Sequence, residues 1–152
     1  MEMRGKQISR FWAGGFLYDQ SLSAVCLHKR DSSTPSNPNK WAFFGGLNED
    51  TETFVACFVR ELREELGLAI EPADAILLRQ YFNAERNSDR AVFYVRYSDS
   101  GHRLVLGEGA AFAWIKLAKV HEYDLTDKTR DDLQFFQRHL NLGRARHASE
   151  RK

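Results

Sequence analysis

The stretch 45–68, GGLNEDTETFVACFVRELREELGL, constrains this chain more than any other. Val55, Val59, Leu62 and Leu66 recur at i, i+4, i+7 and i+11, the apolar stripe of an α-helix. Gly67 follows the last of them and supplies the left-handed residue that helices favour just past their end. Before the helix, Gly45-Gly46 reads as a turn, and Asn48, Glu49, Asp50 and Thr51 offer N-cap side chains. At about 100° per residue, Glu61, Glu64 and Glu65 fall within an arc of roughly 100°, off the stripe. Glu61 and Glu65 are four apart and repel, so something must compensate them. A hard divalent cation such as Mg²⁺, which takes oxygen ligands and bridges carboxylates to substrate phosphates, would do so. Taken alone, RELREEL has a plainer reading: a solvated helix face with an Arg60–Glu64 ion pair.

The spacing sharpens the choice. It runs Gly46, five residues, Glu52, seven residues, Arg60-Glu61-Leu62-x-Glu64-Glu65-x-Gly67-Leu68. Agreement of seven such identities by accident is expected about once in 10⁸ to 10⁹ windows. The pattern resembles the complete Nudix box of the Nudix hydrolases, the MutT-like pyrophosphohydrolases. The specific resemblance is confined to this stretch; outside it lie only strand order, the aromatic run before Gly45 and a late Glu108…Trp114 pattern.

With 152 residues, 43% hydrophobic and 28% charged, the chain suits one soluble domain. A net charge near +1 exerts no global pull towards nucleic acid or membrane. Neither an apolar leader nor an apolar run of membrane-spanning length is present, so a cytoplasmic protein is expected. Cys26 and Cys57 form no CxxC pair and read as buried free thiols, and the scattered histidines give no zinc spacing.

Phe11–Tyr18 reads as a strand, with Gly14-Gly15 marking a bulge or a close backbone approach, and Leu22–His28 as its partner. The polar segment 29–40 reads as a loop and, since it leads straight into the box, as either a substrate-side flap or an inert insertion. Trp41–Phe44 is a short strand; Ala75–Phe82 and Ala91–Tyr97 form an antiparallel pair; Arg103–Leu106 and Phe112–Leu117 are further strands. Thr126 caps a final helix to Leu140 with Leu133, Phe136 and Leu140 on its apolar face. Residues 1–142 are thus read as one domain and 143–152 as a basic, disordered tail. Strands interleaved with helices imply a mixed sheet with helices on its faces.

The resemblance implies the same fold more specifically: an α/β/α sandwich whose catalytic motif is a loop–helix–loop. It also implies Mg²⁺-dependent hydrolysis of a nucleoside diphosphate linked to another moiety, with Mn²⁺ as a substitute. On this sequence Glu61, Glu64 and Glu65 would be the metal ligands, with the Gly45 carbonyl and, in a later loop, Glu108. Glu52 and Arg60 would pair to fix the loop, and Gly46 would admit the backbone to the metal. The general base is left between Glu61, Glu65 and Glu108. Trp41, Phe44 and Tyr81 are the side chains considered for substrate contact, a core position being the plainer reading of Trp41.

Two departures stand out. Phe44 replaces the proline many members carry, and Thr51 replaces a glycine. The short signatures of ADP-ribose, NADH and coenzyme A hydrolases are missing, and Tyr81 lies early for the diadenosine-polyphosphate tyrosine, which leaves a nucleoside triphosphate or a nucleotide sugar. The competing readings are a nucleotide-binding regulator, against which the intact glutamates speak, and an RNA 5′-end hydrolase using the basic tail. A homodimer is left open.

Overall fold

A computed structural model describes residues 9–99 and 111–150, without the side chains of 144–150. Nine residues from Phe11 to Asp19 form β1, which runs into Ala24–Lys29, β2, as an antiparallel pair with Leu17 opposite Cys26. Trp41–Ala42 is β3 and Phe44–Leu47 is β4; β3 pairs with the end of β2, while β4 pairs antiparallel with the start of β1. The box helix, α1, spans Phe54–Leu66. Ile76–Asn83 and Ser88–Arg96 are the antiparallel pair β5 and β6, and β6 lies parallel to β1. Ala111–Lys116, β7, pairs along β2, and a 3₁₀ turn at Leu117–Glu122 leads to α2, Asp127–Glu150. Among the described residues this is one mixed sheet in the order β3-β2-β1-β6-β5, with β4 on β1 and β7 on β2. The expected strand at 103–106 lies outside the described residues.

Both faces of the sheet are covered, which explains the near-continuous apolar run of β6. On one face Leu17, Cys26, Phe44 and Phe93 meet Phe58, Leu62 and Leu66 of α1, with Phe58 stacked on Phe93 at 5.4 Å. On the other Phe16, Val25, Phe43 and Tyr94 meet Leu133 and Phe136 of α2, with Phe16 edge-on to Phe136 at 4.9 Å. The α/β/α sandwich is formed as expected.

Local expectations need correcting around the box. Gly45 and Gly46 do not turn: they are strand residues of β4, opposite Gly14 and Ala13. A Cβ on Gly45 would fall against Gly14 and the Trp12 ring, so the bare backbones are what let β4 approach β1. The cap of α1 is Thr53, whose hydroxyl accepts from the Ala56 N–H at 3.2 Å, and not a residue of 48–51. Asn48 is instead spent on β1, accepting from the Phe11 N–H at 2.9 Å and donating to the Ser9 carbonyl at 3.2 Å. The buried positions of α1 are Cys57, Phe58, Leu62, Glu65 and Leu66, with Val55 and Val59 only half-buried, because Phe58 rather than a valine faces the sheet. Gly67 ends the helix in the left-handed conformation, φ 62°.

Thr126 caps α2 as expected, accepting from the Thr129 N–H. The backbone of α2 then continues to Glu150, past the expected end at Leu140 and through the segment read as a tail.

Candidate active site

Arg60 organises the box. Its guanidinium donates from Nε to Glu52 Oε2 at 2.8 Å and from Nη2 to Glu52 Oε1 at 3.0 Å, a two-pronged grip that a planar fork allows and an ammonium does not. Nη2 also donates to the Leu47 carbonyl at 3.1 Å, tying the end of β4 to α1. Nη1 reaches Glu61 at 3.1 Å and Glu64 at 3.2 Å. Arg60 therefore compensates the charge crowding along the helix face and fixes the loop between β4 and α1.

The bond from Arg60, above all, holds the Glu52 carboxyl below its ordinary value. A carboxylate depressed in this way stabilises the fold fully above its unfolded-state pKa and ceases to do so as the pH falls through its folded-state pKa. The melting temperature should accordingly drop from about pH 5 towards about pH 3 more steeply in the wild type than in Glu52→Gln. Parallel acid profiles would remove this contribution.

Glu61, Glu64 and Glu65 stand in different surroundings along α1. Their side chains are 12%, 42% and 9% exposed. Glu65 turns inwards, with Oε1 3.9 Å from His28 Nε2, while Glu61 and Glu64 are drawn to Arg60. Among the described residues no three His, Cys, Asp or Glu side chains are gathered into a metal-holding group. The donor set nevertheless fits a hard cation: it is all oxygen, and Gly46 leaves beside Glu61 the space a side chain would fill, since a Cβ there would collide with the Glu61 carboxylate. Gly46→Ala should displace that carboxylate and lower kcat about 10- to 100-fold with little change in melting temperature. Unchanged turnover would separate Glu61 from the chemistry. Glu108 lies outside the described residues.

A cleft of about 730 Å³ reaches Glu65 among these carboxylates; Glu65 and His28 line it on the α1 side, and Gly45, Trp12, Phe43 and Arg90 on the α2 side. Arg10, Arg30, Arg86 and Lys128 bring cationic ends to it. Besides Arg30, the 29–40 loop contributes Ser36 and Asn37. Arg30 shapes this loop by donating from Nε to the Ser36 carbonyl, and Asp31 accepts from Ser33 and Thr34. Burial, then the charge of Arg30, holds the His28 pKa below its ordinary value, so the ring is neutral at neutral pH.

None of the three side chains considered for substrate contact is among the described residues lining this cleft. Phe44 is fully buried against α1. Trp41 packs edge-on to Tyr123 at 5.7 Å. Tyr81 donates its hydroxyl to Asp132 at 2.9 Å. In exchange the fold brings in residues the sequence reading passed over. Trp12 and Arg90 are register partners on β1 and β6, and the Arg90 guanidinium lies 3.9 Å over the indole. Asp132, fully buried on α2, accepts from Arg90 Nε at 3.0 Å and from Arg79 at 2.6 Å. A charged residue opening an apolar strand, and an aspartate within the apolar face of α2, were the signals for both.

The NUDIX domain family matches residues 10–139. A nucleoside triphosphatase NudI from Enterobacter sp. is 30% identical over 131 residues, 80% of this chain and 92% of the relative. Among solved structures, a MutT from a study of the Aliivibrio salmonicida and Vibrio cholerae proteins superposes with a TM-score of 0.68 at 20% identity, covering 83% of this chain and 94% of that one. A bifunctional NMN adenylyltransferase/ADP ribose pyrophosphatase from Francisella tularensis, complexed with AMP and a manganese ion, superposes at 0.70 with 14% identity, over 86% of this chain and 42% of its own. At those identities the structures speak for the fold, whereas the family match spans nearly the whole described chain. The chain belongs to the NUDIX domain family and is a Nudix hydrolase, an enzyme that splits acid anhydrides in phosphorus-containing substrates.

Proposed function

We propose that this enzyme hydrolyses nucleoside triphosphates to a nucleoside monophosphate and pyrophosphate, with Mg²⁺ or Mn²⁺ as its cofactor. The observation that carries this reading is a cleft with an aromatic floor and a cationic rim that is lined by Glu65 of α1 and by Gly45, next to the bare Gly46 that faces Glu61. The NudI relative, named a nucleoside triphosphatase, supports the triphosphate over a nucleotide sugar. Glu61, Glu64 and Glu65 would hold the cation, joined by the Gly45 carbonyl and by Glu108. When bound, the cation neutralises phosphate oxygens and makes water a better nucleophile at neutral pH.

The chain's own residues do the remainder. Arg60 keeps Glu52, the Leu47 carbonyl and α1 as one unit, so the carboxylates are oriented before substrate arrives. Arg10, Arg30 and Arg86 meet phosphate oxygens at the cleft. A carboxylate oxygen of Glu61, Glu65 or Glu108 takes the proton of the attacking water, and the anhydride oxygen leaves with the pyrophosphate.

The test is a product-resolved screen of nucleoside triphosphates, nucleotide sugars, dinucleotides and a triphosphorylated RNA, with Mg²⁺ or Mn²⁺, and with chelator as the blank. Monophosphate and pyrophosphate from triphosphates, absent with chelator, are the expected result. Cleavage confined to another class would replace the substrate. Silence across the panel, with one nucleotide raising the melting temperature, would make the chain a binder.

A further inference from the structure

We propose that Arg90 is the residue that selects the nucleobase, and that the base it selects carries an oxo group at purine C6 or pyrimidine C4, as guanine, uracil and thymine do. The inference rests on the reading of the cleft as a nucleotide site.

Arg90 differs from the other cations of the cleft in being fixed. Its Nε and Nη2 edge is taken by Asp132 Oδ2, both at 3.0 Å. Asp132 is itself immobilised: Oδ1 accepts two bonds from Arg79, at 3.0 and 2.6 Å, and one from Tyr81. The indole of Trp12 supports the guanidinium from below at 3.9 Å. Because a guanidinium is planar and Asp132 uses one edge, the Nη1 side is turned away from the carboxylate, and Arg90 lines the cleft. The result is a buried donor of set direction.

A donor of set direction suits an uncharged carbonyl, whose lone pairs lie in defined positions. Phosphate oxygens make a weaker demand on direction, and Arg10 and Arg86, exposed at the same cleft, can follow them. Position agrees. Strand alternation puts Trp12, Phe43 and Arg90 on the α2 side of the sheet, while Glu65 and His28 stand on the α1 side. A nucleotide with its phosphates at the α1 carboxylates would carry its base towards Trp12 and Arg90. At purine C6 or pyrimidine C4, adenine and cytosine carry an amino group instead, which would face a donor and leave both unsatisfied.

The experiment measures Kd by calorimetry for the four nucleoside monophosphates and for inorganic pyrophosphate, so that it reads without turnover, and kcat/KM for the triphosphates. The wild type should prefer guanosine and uridine forms over adenosine and cytidine forms by about tenfold or more. Arg90→Gln, and Arg90→Lys, which keeps a charge beside Asp132, should reduce that ratio to within about threefold while pyrophosphate binding is unchanged. A wild type without preference overturns the proposal whether or not either variant folds. A preference that survives in a folded variant overturns it, as does an equal loss for every ligand including pyrophosphate, which would make Arg90 a phosphate ligand. Failure of the functional reading is separate: it would appear as no nucleotide binding or hydrolysis at all.

Discussion

Glu64→Gln and Glu65→Gln are each expected to lower kcat by about 10³-fold or more, with melting temperatures close to the wild type. The size follows from what these carboxylates are asked to do. Stabilising the charge that develops on a phosphoryl group is worth several kcal/mol, and about 4 kcal/mol corresponds to a factor of about 10³ in rate. The small effect on folding follows from their surroundings. The half-exposed Glu64 has its contact with Arg60, a partly solvated pair whose loss costs about 1 kcal/mol or less. Glutamine keeps the shape of Glu65 in its buried position. The outcome separates the two readings of RELREEL directly. If the three glutamates were a solvated helix face balanced by Arg60, neutralising one would change the rate only a few-fold. Near-wild-type turnover at saturating Mg²⁺ would sink the metal-site assignment. Glu108→Gln, measured beside them, places the general base: a loss of the same size supports Glu108, and a few-fold effect leaves Glu61 and Glu65.

The box was legible because its chemistry is local. Arg60, Glu61, Glu64 and Glu65 sit within two helical turns, so spacing alone puts them on one side, and Gly67 ends the helix wherever it is packed. The layer order was legible too, from apolar strands interleaved with two amphipathic helices. What failed depended on partners distant in sequence. Gly45-Gly46 looks like a turn until β1 lies beside it, with Gly14 opposite Gly45. Asn48 looks like a helix cap until the Phe11 N–H claims its side-chain oxygen. The cleft was the least legible part, since Trp12, His28 and Arg90 come from separate strands and line one cleft only through β1–β6 pairing and the end of β2. Strand alternation buries Phe44 on the α1 side and gives the cleft Phe43 instead.

Asp132→Ala should be the most destabilising single change outside the apolar core. Asp132 is fully buried, and its two oxygens gather Arg79, Arg90 and Tyr81 from β5 and β6 onto α2. Removing it leaves two guanidinium groups facing one another with no anion between them, in a place water reaches poorly. Breaking a buried pair from one side costs about 3–5 kcal/mol, because the charge left behind keeps its desolvation penalty. For a chain of this size that corresponds to a fall in melting temperature of roughly 6–20 °C. Asp132→Asn should lose most of the same stability despite its matching shape, since a neutral amide cannot balance two cations and offers only one acceptor oxygen. A loss below about 1 kcal/mol in both variants would mean that solvent screens the cluster and that Arg79, with its partly exposed side chain, has swung outwards. That result would also unfix Arg90. Stability of the folded protein and the proposed selection of the base would then prove independent, whereas the hold of Asp132 on Arg90 would couple them through a single carboxylate on the first turns of α2.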